Sequence, residues 1–449
     1  MHATAHKLSV LPLLGLLLVC TSSVFALPRV SFANDSTMSE ARVGETVHGG
    51  EEDTVFRHEA LSLYTVLAYA QEHSPTIQAA RARVLAAQER PVQASALDDP
   101  MFTYEGFNIP EHFDLTRTDN NILKLSQKLP FPGKRRLRGQ LASHETTIAR
   151  EELRMVEVTV CAEVKKAYYD LWQAHQNLLV YSREKELAAQ FATIAEKKYV
   201  VGQASQPDVL RAQVELTRLI TRVTTKTLQL EEVRATLNGL LSRPPEASLG
   251  VPQDTPTPVV RQTLAELTKL ALNTRPEITA KTVAVDRDAT AMALAQKAYF
   301  PDFEVYVERF FNAGRRDGVG VVFSATIPFA YREKYDAGVT EARAHLNASK
   351  ADLRAAQDTT QADIKRAFVR AQIAAELINL FSHTHIPQAE QTLDSSRIGY
   401  QTGKVDFLSL LDSLRVVEQV HLEHVAAATD FEKAYADLER AVGQTLPRQ

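Results

Sequence analysis

The chain has 449 residues, 45% hydrophobic and 24% charged, which suits a folded protein with room for two or three domains. Its formal net charge of -4 and its pI near 6.4 give no sign of a nucleic-acid-binding surface. Glycine-rich phosphate loops, nucleophile elbows and Cys-His pairs are absent from the sequence, so we do not expect an enzyme.

The N-terminus carries the pattern of a secretory signal peptide. A basic start at His6-Lys7 precedes a mostly apolar stretch at residues 8–19 and a Val-x-Ala sequence that ends at Ala26. The stretch is too short to span a bilayer comfortably as a helix. We therefore predict a signal peptide at residues 1–26.

A polar, partly acidic leader follows at residues 27–59, and its composition predicts a flexible segment. Cys20 leaves an alternative open, in which it is the lipidated first residue of an exported lipoprotein. Val19, just before it, is larger than such cleavage prefers. Cleavage after Ala26 leaves Cys161 as the one cysteine, which excludes an intramolecular disulfide and a four-cysteine metal site.

A helical stretch and two strands come next. An alanine-rich segment predicts helix from about Leu61 to Leu97, with a break at Ser74-Pro75. Residues 101–109 and 121–129 alternate as strands do. In the second strand the two faces carry different side chains: Leu123, Leu125 and Leu129 on one, and Lys124, Ser126 and Lys128 on the other.

A very long helix is predicted from about Lys134 to Val200, or roughly 100 Å at ~1.5 Å per residue. Its apolar residues follow the 3/4 spacing of a coiled-coil seam, at Val156, Val160, Val164, Ala167, Leu171, Ala174, Leu178 and Tyr181. Gly202 ends it in a turn that needs positive φ. A returning helix then runs from Pro207 to about Leu241.

The same order recurs about 200 residues later. A proline-rich connector at 243–261 leads to a helix at about 262–298, two strands, a helix at 334–400, a turn at Gly403 and a return helix to about Val442. The apolar residues again share faces: Phe303, Val305, Val307 and Phe311 share one in the third strand, and Val321, Phe323, Ala325 and Ile327 share another in the fourth.

Matching residues at a nearly constant spacing indicate a duplication. Each pair below is separated by 198 to 201 residues: Pro75 and Pro276, Pro100 and Pro301, Ser126 and Ser324, Ala162 and Ala362, Tyr199 and Tyr400, Gly202 and Gly403, Leu210 and Leu411. The sequence therefore predicts two copies of one unit. We assign a first repeat at 60–242, a second at 262–443 and a C-terminal tail at 444–449.

Four strands of membrane-spanning length cannot close a barrel, since the smallest closed barrels have about eight. An open sheet edge in lipid leaves backbone groups unpaired. We therefore expect other copies of the chain to complete the sheet, as a homo-oligomer with cyclic symmetry. The expected fold class is mainly α with a membrane β-barrel portion.

The chain resembles the TolC-type outer-membrane efflux factors over roughly residues 60–443. The signal peptide, the doubled strand–helix–turn–helix unit and the paired Tyr-x-x-Gly turns carry the resemblance. It implies a homotrimer that forms a 12-stranded β-barrel in outer-membrane lipid above a periplasmic α-helical barrel. It also implies a periplasmic adaptor and an inner-membrane efflux pump as partners, with no cofactor and no nucleic acid.

The resemblance implies a gate. The gating tyrosine matches Tyr400, its acidic partner matches Asp208, and an acid of the inner constriction matches Asp412. The family's best-described gate has an arginine where Val405 stands and a second aspartate where Ser409 stands, which leaves the gate chemistry open. An alternative for Asp208 is an acid favoured by the dipole at a helix N-terminus.

The resemblance also implies that the turns at Gly202 and Gly403, together with Tyr199, form the tips where the adaptor docks. The alternative for Tyr199 and Tyr400 is that they only pack the tip.

Residues 127–136 and Asp99-Pro100-Met101 resemble the cation-efflux branch of the family, which makes heavy-metal cations a candidate cargo. A strand-to-helix transition with solvated basic residues explains the same sequence. His421 and His424 lack an evident third ligand, so no metal site is predicted. Two alternatives stay open: an outer-membrane channel for type I polypeptide secretion, and a soluble periplasmic coiled-coil scaffold.

Overall fold

The computed structural model describes residues 60–107, 120–253, 260–312 and 316–447. The predicted signal peptide, the predicted leader and Cys20 lie outside the described residues. So do residues 254–259 of the predicted connector and 448–449 of the predicted tail.

The first copy runs from short helices through a strand pair to a long helical hairpin. Its elements, in chain order, are α1 (Leu63–His73), α2 (Pro75–Gln88), α3 (Arg90–Ser95), β1 (Met101–Phe107), β2 (Asn120–Leu129), α4 (Lys134–Val200) and α5 (Gln206–Leu240). The predicted break at Ser74-Pro75 is confirmed, because Pro75 begins α2 where no amide N–H is needed. The bounds predicted for the long helix α4 are those observed.

The second copy repeats this order with α6 (Leu264–Thr274), α7 (Pro276–Lys297), β3 (Phe303–Asn312), β4 (Gly318–Ala325), a 3₁₀ turn (Pro328–Tyr331), α8 (Arg332–Leu380), a π-helical segment (Phe381–His385), α9 (Ile386–Gln401) and α10 (Phe407–Val442). The single helix predicted at 262–298 is wrong. Pro276 divides it into α6 and α7, as Pro75 divides α1 from α2.

The helix predicted at 334–400 is confirmed in extent, since α8, the π-helical segment and α9 run without a gap from Arg332 to Gln401. A π segment accommodates one additional residue in a continuing helix. The repeat shows the insertion: Ala162 and Ala362 are 200 residues apart, whereas Tyr199 and Tyr400 are 201 apart.

The four strands form one antiparallel sheet in the order β1-β2-β3-β4. Leu125 lies opposite Val307, and Val307 lies opposite Val321, so these residues share a face of the sheet. β4 has eight residues and ends at Ala325, so Ile327 lies beyond it, and residues 108–109 of the first predicted strand lie outside the described residues.

The two faces of the sheet differ in chemistry. One face is mostly apolar, with Asn121, Gln127 and Arg309 as its polar members, and its exposed apolar members include Phe102, Tyr104, Leu125, Leu129, Phe303, Val307, Val321 and Phe323. The opposite face carries Glu105, Lys124, Ser126, Lys128, Glu304, Tyr306 and Glu308. This is the alternation predicted for β2, extended across all four strands by the register.

Near the two turns, α4, α5, α9 and α10 pack into a bundle, which we call the tip bundle. Its apolar core contains Phe191, Leu219, Leu393, Tyr400, Phe407 and Leu414. Among the described helices, none combines the length and the apolar character needed to cross a membrane.

Candidate functional site: the two helical tips

The two turns share one backbone geometry. Gly202 has φ 71° and Gly403 has φ 75°, so the predicted positive φ is confirmed at both. In the first turn Gln203 donates its N–H to the Lys198 carbonyl at 2.7 Å, and in the second Lys404 donates to Gly399 at 2.8 Å. A Cβ at either glycine would meet no described atom within 4 Å, so backbone conformation alone requires glycine.

The helices that leave the turns are capped by the same two residue types in reversed order. At the first tip, Ser205 is the N-cap of α5, and its N–H and hydroxyl donate to Asp208 Oδ2 at 3.2 and 2.8 Å. At the second tip, Asp406 is the N-cap of α10 and accepts the N–H of Ser409 at 3.2 Å and its hydroxyl. These hydrogen bonds, first that of the Ser409 hydroxyl, hold the pKa of Asp406 below its usual value.

Ser409 thus donates its N–H and its hydroxyl to the N-cap Asp406, a residue to which the sequence analysis assigned no role. Asp208 is a helix N-terminal acid in a capping box, as its alternative interpretation predicted. A gating role for Asp208 stays a prediction.

Tyr400 is part of the tip-bundle core, at 5% exposure, whereas the equivalent Tyr199 is 47% exposed. The Tyr400 ring contacts Phe407 at 5.2 Å between centroids, and its phenolic oxygen finds no hydrogen-bond partner among the described residues. Burial, together with the negative charge of Asp208, raises the pKa of Tyr400. Packing in the tip-bundle core therefore accounts for the position of Tyr400 but not for that of Tyr199.

Lys198 of the first tip, which the sequence analysis did not single out, contacts Tyr400 of the second tip. Its ammonium donates to the Tyr400 carbonyl and lies 4.6 Å from the centre of the Tyr400 ring. The only sequence signal was a basic residue in the last turn of a helix, which is favourable in any helix. The contact therefore could not be singled out.

Asp412 is largely exposed, and its Oδ1 lies 3.6 Å from the Arg415 guanidinium on the same helix. Arg415 also donates to Glu215 of α5 at 2.8 Å. Beside it, Arg218 of α5 donates to Glu418 of α10 at 2.6 Å. Asp412 thus borders a four-residue ion-pair cluster (Glu215, Arg218, Arg415 and Glu418) that joins the return helices of the two copies.

Two buried acids, one inside this cluster and one beside it, have pKa values shifted in opposite directions. Burial tends to raise the pKa of Glu215, but hydrogen bonds from Arg415 and Arg218 outweigh it and lower that pKa. Glu184 of α4 is 1% exposed, and its Oε2 has no hydrogen-bond partner among the described residues. Burial, with the charge of Glu418 second, raises the pKa of Glu184 to about 7.

The histidine pair at His421 and His424 gains no third ligand among the described residues. His421 Nε2 lies 3.2 Å from Glu390 Oε1. Within the described part of the chain, no group of three or more His, Cys, Asp and Glu residues could hold a metal ion.

Comparison with known proteins identifies the family. Residues 66–242 and 267–444 match the family model described as outer membrane efflux protein. The chain belongs to this family. The family resemblance drawn from the sequence is thereby confirmed, and the two matched segments follow the two copies of the repeat.

Individual relatives are distant. The chain is 20% identical over 335 residues to the cobalt-zinc-cadmium resistance protein CzcC of Cupriavidus metallidurans, covering 73% of this chain and 78% of CzcC. Its fold is similar to that of the outer membrane protein VceC of Vibrio cholerae, with a TM-score of 0.73, 18% identity and coverage of 86% and 97% of the two chains. For CusC the TM-score is 0.73, the identity 16% and the coverage 85% and 92%.

Membership in the family makes the chain an outer-membrane efflux protein with a helical periplasmic extension. It acts in transport and is not an enzyme. The tip at Gly202 lies between α4 and α5, and the tip at Gly403 lies between α9 and α10.

Proposed function

We propose that the chain is the outer-membrane channel of a tripartite efflux system. Three copies assemble into one conduit, which receives substrate from a periplasmic adaptor and an inner-membrane pump and releases it outside. Conduction is passive, and the pump supplies the energy.

The four-stranded sheet is the observation that carries this proposal. Its apolar face is exposed on all four strands, while its other face presents carboxylates and ammonium groups. Large exposed apolar surfaces mark contact with lipid or protein. Lipid outside and water inside account for both faces once three sheets close into a 12-stranded barrel.

The cargo we propose is heavy-metal cations. Similarity to a cobalt-zinc-cadmium resistance protein supports this choice, together with the sequence at residues 127–136. The carboxylates on the polar face of the sheet are compatible with passage of cations. They are compatible with other polar cargo as well, so the cargo requires its own test.

The channel itself is tested by purification in detergent and reconstitution into planar bilayers. We expect a mass of three chains and discrete conductance steps. Recovery from the soluble periplasm without detergent would instead support the coiled-coil scaffold and reject the channel.

The cargo is tested by deleting the gene in its native host. We expect growth to become sensitive to Zn²⁺, Co²⁺ or Cd²⁺, and complementation with the wild-type chain to restore tolerance. Unchanged metal tolerance with loss of a secreted polypeptide would reject cations and favour the type I secretion alternative.

A further inference from the structure

The two return helices are equivalent in the repeat but unequal in burial. Helix α10 has 20 buried residues among its 36, whereas α5 has six among its 35. Leu210 on α5 is 53% exposed, and its equivalent Leu411 on α10 is 3% exposed. The reason is packing: α10 lies against α8 and α9 of its own copy and also against α4 of the other copy, while α5 packs against α4.

The repeat indicates which helix covers the exposed face of α5. Within the chain, α4 of the first copy packs against α10 of the second, an interface that we call the seam within the chain. By the symmetry of the repeat, an equivalent seam joins α8 of the second copy to α5 of a first copy, and that first copy must belong to another chain. Each chain offers one such α8 and one such α5, so repeating the contact closes a ring.

Residue equivalence across the two seams follows from the burial pattern. Helices α4 and α8 correspond at an offset of 200, since Val164 and Ala167 are buried like Ile364 and Ala367. Helices α5 and α10 correspond at an offset of 201, beyond the π-helical insertion. Three buried pairs show this: Leu230 and Phe431, Leu237 and Leu438, Leu241 and Val442.

One ion pair in the seam within the chain has an equivalent with both charges reversed. Lys433 of α10 donates to Asp170 of α4. The residue equivalent to Asp170 is Arg370, and the residue equivalent to Lys433 is Glu232. Both are exposed, and no ion pair joins either of them to another residue in the described ranges.

We propose that α8 of one copy packs against the exposed face of α5 of the next copy, with Arg370 bound to the partner subunit's Glu232. The inference rests on the proposed homotrimer and adds to it the helices that meet and the charges that select them.

The reversal of sign prevents the two seams from exchanging partners. If α5 took the place of α10, Glu232 would face Asp170; if α10 took the place of α5, Lys433 would face Arg370. Both arrangements juxtapose like charges. An exposed ion pair adds little affinity, but like-charge contacts discriminate between partners, so the pairs fix the order of helices around the ring.

Cross-linking tests the contact directly. In a Cys161→Ala background, Arg370→Cys combined with Glu232→Cys is treated with a short bifunctional thiol reagent. We expect covalent dimers and trimers on a denaturing gel. The matched control is Asp170→Cys with Lys433→Cys, in which both thiols react while the product keeps the size of one chain, because that pair lies within the chain.

Exchanging the two charges tests whether they select the partner helix. We expect Glu232→Arg to lower the temperature at which the detergent-solubilised trimer dissociates. Adding Arg370→Glu to that variant should restore at least half of the lost temperature. Glu231→Arg serves as the control, since Glu231 binds Arg234 on its own helix at 2.7 Å and should leave trimer dissociation unchanged.

The outcomes separate the two proposals. A trimeric wild-type protein whose 370/232 double-cysteine variant gives only single-chain products, while the 170/433 control reacts, would overturn the seam and leave the channel intact. A wild-type protein that is monomeric in detergent would overturn the homotrimer itself.

Discussion

Glu184 is the one acid in the tip bundle that is fully buried with an unpaired carboxylate oxygen among the described residues. The charged groups that act on it are Glu418 and Glu390, which disfavour its ionisation, and Arg183, which favours it. The nearby arginines of α5 and α10 are already bound to Glu215 and Glu418. Neither of these arginines is therefore left to neutralise Glu184, and protonation removes its negative charge instead.

This burial predicts a pH-dependent stability. Below pH 4.5 the carboxyl group is protonated in both the folded and the unfolded chain. Between pH 4.5 and about 7 only the unfolded chain loses the proton, so the free energy of unfolding decreases as pH rises. Above pH 7 the full cost is present, about 3 kcal/mol for a shift of this size.

Glu184→Gln should remove this dependence. We expect the variant to match the wild type near pH 4.5 and to exceed its stability increasingly towards pH 7, measured by thermal loss of helical circular dichroism. The exposed Glu186 gives the control, since Glu186→Gln should follow the wild type at every pH. A constant difference between Glu184→Gln and wild type across that range would show that the carboxyl group is not held protonated.

At the level of elements, the long helices could be predicted because their apolar spacing is continuous. Helix α4 therefore has its expected bounds. The π-helical segment at Phe381–His385 was not predicted, although the change in offset from 200 at Ala162 and Ala362 to 201 at Tyr199 and Tyr400 indicated one inserted residue between them. The division at Arg275-Pro276 had the same signal as Ser74-Pro75 and was available in the sequence.

The turns were predictable because glycine is the residue most favoured where φ is positive. The contacts between the tips were not. Lys198 reaches a backbone carbonyl some 200 residues away, and no local pattern specifies such a partner. The gate residues implied by family resemblance placed Tyr400 and Asp208 in the tip region, but they gave no role to Lys198 or Asp406.

The tip contacts lead to a prediction about conductance. Lys198 and Tyr400 link the hairpin α4–α5 to the hairpin α9–α10, so removing the link should let the tips separate more readily. We expect Tyr400→Ala with Asp208→Ala to raise single-channel conductance in planar bilayers, and Lys198→Ala to raise it as well.

Lys197 provides the matched control for Lys198, because it is the neighbouring exposed lysine and Lys197→Ala removes the same charge. An equal conductance increase in both lysine variants would indicate a general charge effect at the pore entrance. Unchanged conductance in all variants would count against these residues as a gate.

Across the whole molecule, ion pairs join the two copies at two levels. Towards the sheet, Lys165 binds Glu439 at 2.5 Å, and Lys166 binds Asp437. Towards the tips, Arg218 binds Glu418 at 2.6 Å. If the tips open, we expect the lower contacts to break and the upper ones to keep the two copies in register.

The sheet permits a test of which of its faces meets lipid. Val321 and Val322 are adjacent in β4 and point to opposite faces, Val321 beside Val307 and Val322 beside Tyr306. Arginine on a lipid-facing strand position costs about 2–4 kcal/mol at mid-membrane depth, whereas a pore-facing position is wet. Val321→Arg should therefore reduce the amount of assembled trimer in outer-membrane fractions, and Val322→Arg should assemble normally while altering ion selectivity. The opposite order of effects would assign the polar face to the lipid side and contradict the proposed barrel.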